Sequence, residues 1–357
     1  MESGELNQQL IEAIYAAGSQ WSLAITGGGT SAISDLFAVP GASGTILEAR
    51  VPYHADLLKS YLGARSDPGC STSTARAMAM QAYLAASAIG SKPAFGLGCT
   101  AAIATNRERR GSDRCHLAVQ SYSMTRTFDV TFDKALSRQE QEQICRDLVI
   151  NAMATALNLP CESVKGNSHT ASRVWQSLLD GEIGKTSDVE YAAIFPGAFN
   201  PLHEGHQQML SCARDCIDGE IALEISISNV DKPPLDFLSM AERTRQLEAL
   251  PLVFTNAPTF VEKAALFPGT TFIVGLDTLL RIEDARYYDS AYDRDQAIDE
   301  MANLGNRFLV FGREINDKFQ TLNGLELTPA LRALCTEIEE AQFRSDISST
   351  EIREGDR

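Results

Sequence analysis

Between residues 191 and 312 the chain alternates short apolar runs with amphipathic stretches, and this alternation constrains its fold more than any other feature. The apolar runs are "YAAIF", "EIALEISIS", "LVFTN", "TTFIVG" and "RFLVFG". Between them lie "GHQQMLSCARDCI", "LSMAERTRQLEAL", "FVEKAALF" and "DTLLRI". Runs of four to eight apolar residues read as buried strands, and the intervening stretches read as helices that cover them. Repeated strand–helix units build a mostly parallel sheet with helices on both faces, here a Rossmann-like doubly wound α/β domain. Ligands of such sheets bind beyond the C-terminal ends of the strands.

A second α/β pattern precedes this one. "WSLAIT" reads as a strand running into Gly27-Gly28-Gly29, and "TSAISDLFAV" as a helix stopped by Pro40-Gly41. "TILEARVPY", "PAFGLGCT", "CHLAVQSY" and "RTFDVTF" read as strands. "STSTARAMAMQAYLAASAIG" and "LSRQEQEQICRDLVINAMATALN" read as long helices, with Ser or Thr near their starts to cap them. Residues 160–188 are rich in Gly, Ser and polar groups around one short helical piece. The expected organisation is therefore a first domain at 1–160, a linker at 161–187 and a second domain at 188–357.

The charge is unevenly shared between the halves. Residues 1–187 carry 16 Lys+Arg against 17 Asp+Glu, whereas residues 188–357 carry 15 against 30. The net of −16 thus belongs almost wholly to the second half, and an acidic surface disfavours nucleic acid and anionic lipid as partners. No run of eighteen apolar residues is present, so no membrane span is expected. The first residues, "MESGELNQQLIEAIYAAG", carry acidic groups and no basic lead, the pattern of an amphipathic helix and not of an export signal. Eight scattered cysteines without a C-x-x-C pair read as reduced thiols, with no metal-ligand pattern, and the expected compartment is the cytoplasm. The oligomeric state is left open, a homo-oligomer included.

Two of the five histidines sit in one short stretch, "GAFNPLHEGH", just after the first apolar run of the second half. His203 and His206 are three residues apart and share a face on the first turn of a helix. That turn also presents unpaired backbone N–H groups and the positive end of the helix dipole. Gly205 between the two histidines lets a ligand approach the backbone. The pattern is that of a cradle for phosphate oxygens.

At these residues the second half resembles the nucleotidyltransferase superfamily that carries an H-x-G-H signature, and within it the nicotinamide/nicotinate mononucleotide adenylyltransferases. The opening pattern G-x-F-x-P-x-H-x-G-H is met by Gly197, Phe199, Pro201, His203, Gly205 and His206. A K-P pair follows at Lys232-Pro233, then Gly275 and Asp277 in "FIVGLDTLL", and finally "ISSTEIR" with Ser348, Ser349, Thr350 and Arg353. The resemblance implies transfer of AMP from ATP, carried in with Mg²⁺, to a small phosphorylated acceptor. The acceptor implied is nicotinamide or nicotinate mononucleotide, giving NAD or its deamido form with release of pyrophosphate. Catalysis would fall to His203, His206 and Arg353. Nucleotide binding would fall to Gly197, Phe199, Gly205, Lys232, Gly275, Asp277, Ser348, Ser349 and Thr350. On their own, Asp277 reads equally as a helix N-cap and Lys232 as a solvated loop charge. Three other functions stay open: a cytidylyltransferase acting on a phospho-alcohol, a bifunctional amidase and adenylyltransferase, and a non-catalytic nucleotide-binding protein.

The first half resembles, less closely, the CinA C-terminal family, which includes nicotinamide-nucleotide amidases. The residues concerned are "TGG" at 26–28, "VPGAS" at 39–43, Tyr53, "LG" at 62–63, "TARAMA" and "GLGCT". That family's Ser and Tyr fall on Ser43 and Tyr53, but its activating Lys falls on Leu58. A serine hydroxyl without a base is a weak nucleophile, and Lys59 is turned about 100° away on a helix. The family's glycine-rich loop also reads "TAAIATNRERRG" here. The expectation is a CinA-like α/β domain with a vestigial site and no amidase activity. Ser43 alone reads also as a turn residue after Pro-Gly.

Overall fold

In the computed structural model the chain forms two compact units, one made of Met1–Gln176 with Asp231–Ala241, the other of Ser177–Val230 with Glu242–Arg357. The structure describes residues 3–64, 68–107, 110–162, 164–228, 233–315 and 318–343.

The first unit is built on a six-stranded mixed sheet. Its strands are β1 (Gln20–Thr26), β2 (Ile46–Arg50), β3 (Ala94–Ala102), β4 (Arg114–Ser121), β5 (Met124–Thr131) and β6 (Gly166–Thr170), in the order β2-β1-β3-β4-β5-β6. β1 pairs in parallel with β2 and β3, whereas β3 through β6 are antiparallel. One face carries α4 (Thr72–Ile89). This helix lies close on β3 because Gly96 and Gly98 have no side chain: a Cβ on Gly96 would meet Tyr83 N at 2.1 Å, and one on Gly98 would meet Ala79 N at 2.5 Å. The other face is covered by α1 (Ser3–Ala16), α2 (Ser31–Ala38) and α5 (Arg138–Ala156). Ile11, Ile14, Leu36, Leu148 and Val149 from these helices pack on Trp21, Leu23, Leu97 and Leu117 of the sheet. α5 starts at a capping box in which Ser137 and Glu140 satisfy each other's backbone donors. Between β2 and α4 lies the short α3 (Ala55–Tyr61).

The expected linker at 161–187 contains its short helical piece, α6 (Arg173–Leu179), and also a strand that was not expected, β6, the edge strand paired with β5. The strand escapes a pattern-based reading because "GNSHT" has no apolar alternation. Every residue but His169 is exposed, since an edge strand is held mainly by backbone pairing.

The second unit has the doubly wound parallel sheet that the alternation implies. Its strands are β7 (Ala193–Pro196), β8 (Ile221–Ser226), β9 (Leu252–Thr255), β10 (Thr271–Gly275), β11 (Arg307–Phe311) and β14 (Cys335–Ile338), in the order β14-β11-β10-β7-β8-β9. All neighbours are parallel. The strand order reverses between β7 and β10, and this switch point is where such sheets open a ligand crevice. Helices α7 (Glu204–Cys216), α8 (Phe237–Gln246), α9 (Phe260–Leu266), α10 (Leu276–Glu283) and α11 (Ala291–Asn303) connect the strands. A small antiparallel pair, β12 (Arg313–Ile315) and β13 (Lys318–Gln320), and the short α12 (Pro329–Ala333) follow β11. Phe272, Phe308, Val274, Ile298 and Met301 lie in the core of this unit. Among the described residues no helix is long and apolar enough to cross a membrane.

Candidate active site

The crevice residues stand just past the C-terminal ends of β7, β10 and β11. β7 ends at Pro196, and Gly197 turns the chain, its N–H donating to the Glu224 carbonyl at 2.9 Å. A Cβ on Gly197 would lie 2.7 Å from the Phe199 ring, so only glycine fits over it. Phe199 has φ of +42°, a conformation costly for an aromatic residue. Its ring is 1% exposed and packs edge-on against Phe195 and His206, with centroids at 5.3 and 5.1 Å. Phe199 thus faces inward and backs His206, and does not itself present to a nucleotide. The strained turn aims the start of α7 at the crevice.

His203 is the N-cap of α7, with extended backbone, and His206 is its third residue. The two rings stack at a centroid separation of 3.6 Å and an angle of 23°. The His203 N–H donates to His206 Nδ1 at 3.3 Å. An Nδ1 that accepts leaves the proton of a neutral ring on Nε2, which becomes a directed donor. Burial lowers the His206 pKa to about 4, and the neighbouring His203 and Arg313 push in the same direction. His203 is lowered too, first by burial and then by Arg313. At neutral pH the pair is therefore uncharged. Gly205 is buried in the same first turn.

β10 ends at Gly275, the N-cap of α10, and Asp277 lies in that helix's first turn. The structure removes one of the two readings of Asp277: the cap position belongs to Gly275. A Cβ on Gly275 would come within 2.9 Å of Asp277 Oδ1, so the glycine leaves room for that carboxylate. Asp277 is paired with Arg313 at 3.1 Å, both side chains about two-fifths exposed at 40% and 39%. Arg313 starts β12, directly after Gly312 at the end of β11. The C-terminal ends of the three adjacent strands β7, β10 and β11 thus carry His203, His206, Asp277 and Arg313.

Arg313 is the residue that sequence reading missed. Its signal was its place: a cation immediately beyond an apolar run falls, in a parallel sheet, at the strand ends that line the crevice. Lys232, Ser348, Ser349, Thr350 and Arg353 lie outside the described residues. In the first unit, Ser43 is exposed on a single 3₁₀ turn, Ala42–Gly44, and Tyr53 is 65% exposed. Leu58 is buried in a small cluster with Ala24, Leu62 and Met78. Among the described residues no group of three or more His, Cys, Asp or Glu side chains is placed to hold a metal ion.

This sheet order, with helix N-termini and a histidine pair at its switch point, is a nucleotide-handling arrangement. Residues 194–355 match the family described as cytidylyltransferase-like, which is a nucleotidyltransferase family. No curated protein matches the chain. Among solved structures, the chain is similar to the competence/damage inducible protein CihA from Agrobacterium tumefaciens. The identity is 19%, over 43% of this chain and 94% of that one, with a TM-score of 0.35. It is also similar to a CinA superfamily protein from Klebsiella pneumoniae, at 15% identity over 44% of this chain and 99% of that one, with a TM-score of 0.37.

Proposed function

We propose that the second half transfers AMP from ATP to a mononucleotide, nicotinamide or nicotinate mononucleotide, and releases pyrophosphate. The observation that carries this reading is the neutral, half-buried His206, whose Nε2–H is fixed as a donor at the start of α7. In the reaction an acceptor phosphate oxygen attacks the α-phosphorus of the ATP–Mg²⁺ complex in line, and the bond to the bridging oxygen of pyrophosphate breaks. The nucleophile is already an anion, so no base is needed. Negative charge grows on the α-phosphoryl oxygens and the leaving group. Fixed donors in a partly buried site stabilise that charge without reorganising. His203 and His206 supply such donors, the first turn of α7 adds backbone N–H groups, and Arg313 adds a cation. The choice of adenine and of a mononucleotide rests on "ISSTEIR" and on the Gly275–Asp277 pair. In the same reading the first half is a CinA-like domain without amidase activity, because a packed Leu58 stands where the family's base would be.

The test is pyrophosphate release from the full chain with ATP or CTP, Mg²⁺ and a panel of phosphorylated acceptors. Release with ATP and a nicotinamide-type mononucleotide is expected. A preference for CTP and a phospho-alcohol would replace the proposal with cytidylyl transfer. Silence with every acceptor would end the enzymatic reading.

A further inference from the structure

Glu224 stands as a carboxylate in the apolar run of β8, and the core of the second unit holds it against a lysine. Lys263, on α9, donates from Nζ to Glu224 Oε1 at 2.6 Å, and the two side chains are only 7% and 1% exposed. Thr255, the last residue of β9 and wholly buried, donates from Oγ1 to the same oxygen at 2.5 Å. The other oxygen, Oε2, is buried without a hydrogen-bond partner among the described residues. A half-satisfied buried pair is weak as a source of stability, and apolar residues of similar volume often serve a core as well or better. The proposed chemistry uses none of these three side chains.

The place of the cluster connects it with the histidines. In the β7–β8 register Glu224 lies opposite Pro196. Its carbonyl accepts from Gly197 N–H at 2.9 Å, at the start of the turn that leads to His203 and His206. Side chains alternate between the two faces along a strand. Phe195, one residue before Pro196, packs against the His206 ring, whereas Ile194 and Ala222 pack with Ala264 of α9. Glu224, two residues after Ala222, thus turns its carboxylate to the α9 face, away from His206, while its carbonyl holds the histidine turn. That turn needs holding. It carries Phe199 at φ +42°, and such strain persists only where the surroundings over-determine the backbone.

We propose that Glu224 is a positioning residue for nucleotidyl transfer. Lys263 and Thr255 fix its side chain from α9 and β9, its carbonyl fixes Gly197, and the turn so anchored aims His203 and His206 at the transferred phosphoryl group. This rests on the transfer reading, but the anchoring itself can be read from the histidines without any turnover.

The experiment uses the full chain as wild type, Lys263→Met, Glu224→Gln and the triple variant Glu224→Leu/Thr255→Val/Lys263→Met. Pyrophosphate release gives kcat and KM for ATP, thermal melting gives stability, and titrated imidazole Cε1–H resonances report on His203 and His206. Lys263→Met strands a buried charge and should lower the thermal midpoint and kcat together. The triple variant replaces the whole cluster by apolar groups, so its midpoint should equal or exceed that of the wild type. Its kcat should nevertheless stay down about tenfold or more, with ATP KM within about twofold, because small misplacements of reacting groups are costly in rate. Its His206 pKa should rise from about 4 toward the ordinary 6.5, as water reaches a loosened turn. Glu224→Gln keeps an acceptor for Lys263 and Thr255 and should show the same changes at smaller size. A stable triple variant with wild-type kcat would overturn the positioning role and leave the cluster to packing. A fall in kcat with the His206 resonance and pKa unmoved would overturn the route through the turn. If the triple variant does not fold, Glu224→Gln decides: wild-type kcat and His206 pKa in that variant would overturn the role. Absence of transfer in the wild type would strike the proposed function, while the histidine resonances would still decide whether Glu224 holds the turn.

Discussion

Each unit contains a loop in which a buried parallel strand turns into a helix, "TGGGTS" after β1 and "GAFNPLHEGH" after β7. Both expose the N-terminus of a helix, and the two are finished differently. At the start of α2 the Glu142 carboxylate, from α5, accepts from Gly29 N–H at 2.7 Å and Ser31 N–H at 3.0 Å. It also accepts from the Thr30 and Ser31 hydroxyls at 3.2 Å each. Gly27, at φ +82°, is pressed so close to β3 that a Cβ would overlap the Ala101 carbonyl. That loop is closed by the protein's own anion. At the start of α7 two neutral imidazoles and a nearby guanidinium take the corresponding place. The same strand–turn–helix geometry thus serves cohesion in one unit and, in the function we propose, chemistry in the other, and the side chains at the helix start decide which.

The largest break in this comparison is expected from His206→Ala. Removing a donor aimed at charge that develops in the transition state costs on the order of 100- to 1000-fold in rate. Pyrophosphate release at saturating ATP and acceptor should fall by that amount, while ATP affinity changes much less. A loss confined to ATP affinity would make His206 a ground-state ligand and bring the two loops closer in kind.

Glu142→Ala probes the other loop. It strands two backbone N–H groups, Gly29 and Ser31, and a buried donor left unpaired costs about 1–3 kcal/mol. The first unit should unfold earlier in denaturant, with turnover at saturating substrate unchanged. A stable variant would show that water replaces the carboxylate at no cost, and the contrast between the loops would weaken.

Much of this contrast is legible in the amino-acid sequence itself. The switch-point strands β7 and β10 are apolar runs, and H-E-G-H follows the first of them directly. The parallel sheet follows from strand–helix repetition. What escapes is held by pairing or by space. β14 is four residues, "CTEI", at a sheet edge, and its assignment depends on pairing with β11. α11 buries only Ala297, Ile298 and Met301 along "AYDRDQAIDEMAN", too thin a stripe to stand out among its charges. Glu142 and Gly29 are 113 residues apart in sequence, and Arg313 comes within electrostatic reach of His206 because β11 and β7 flank β10. Glu224 and Lys263 are separated by 39 residues, and no motif links them.

A smaller effect concerns protonation. The His206 pKa lies at about 4, mainly through burial, against an ordinary 6.5. As pH falls, the unfolded chain takes up this proton before the folded one does. The stability associated with neutral His206 is therefore full above about pH 6.5 and is lost as pH drops toward about 4. Arg313→Met removes a neighbouring cation, so the pKa values of both His203 and His206 should move upward, His203 included because Arg313 also lowers it. Titrating the imidazole Cε1–H resonances by NMR reads this directly. Bound triphosphate should shift both values in the same direction, so ATP binding near pH 5.5 should take up protons. No shift in Arg313→Met would place the guanidinium's influence elsewhere.

The smallest expected effect belongs to Ser43→Ala, which should change almost nothing. Ser43 sits exposed on its 3₁₀ turn, and a surface change of this kind usually alters stability by less than about 0.5 kcal/mol. Chemistry gives no further reason for an effect, because a serine hydroxyl attacks an amide only when a neighbouring base takes its proton. Leu58 cannot do so: it is 6% exposed and packs among Leu62, Met78 and Ala24. Tyr53, at 65% exposed, offers a phenol in water and no enclosed site. Wild type and Ser43→Ala should therefore both release no ammonia from nicotinamide mononucleotide, at any enzyme concentration, and should share one thermal midpoint. Ammonia released by the wild type and lost in Ser43→Ala would reverse the comparison. The first unit would then hold a second active site, Lys59 would be the next residue to replace, and the chain would carry out two successive reactions on one mononucleotide.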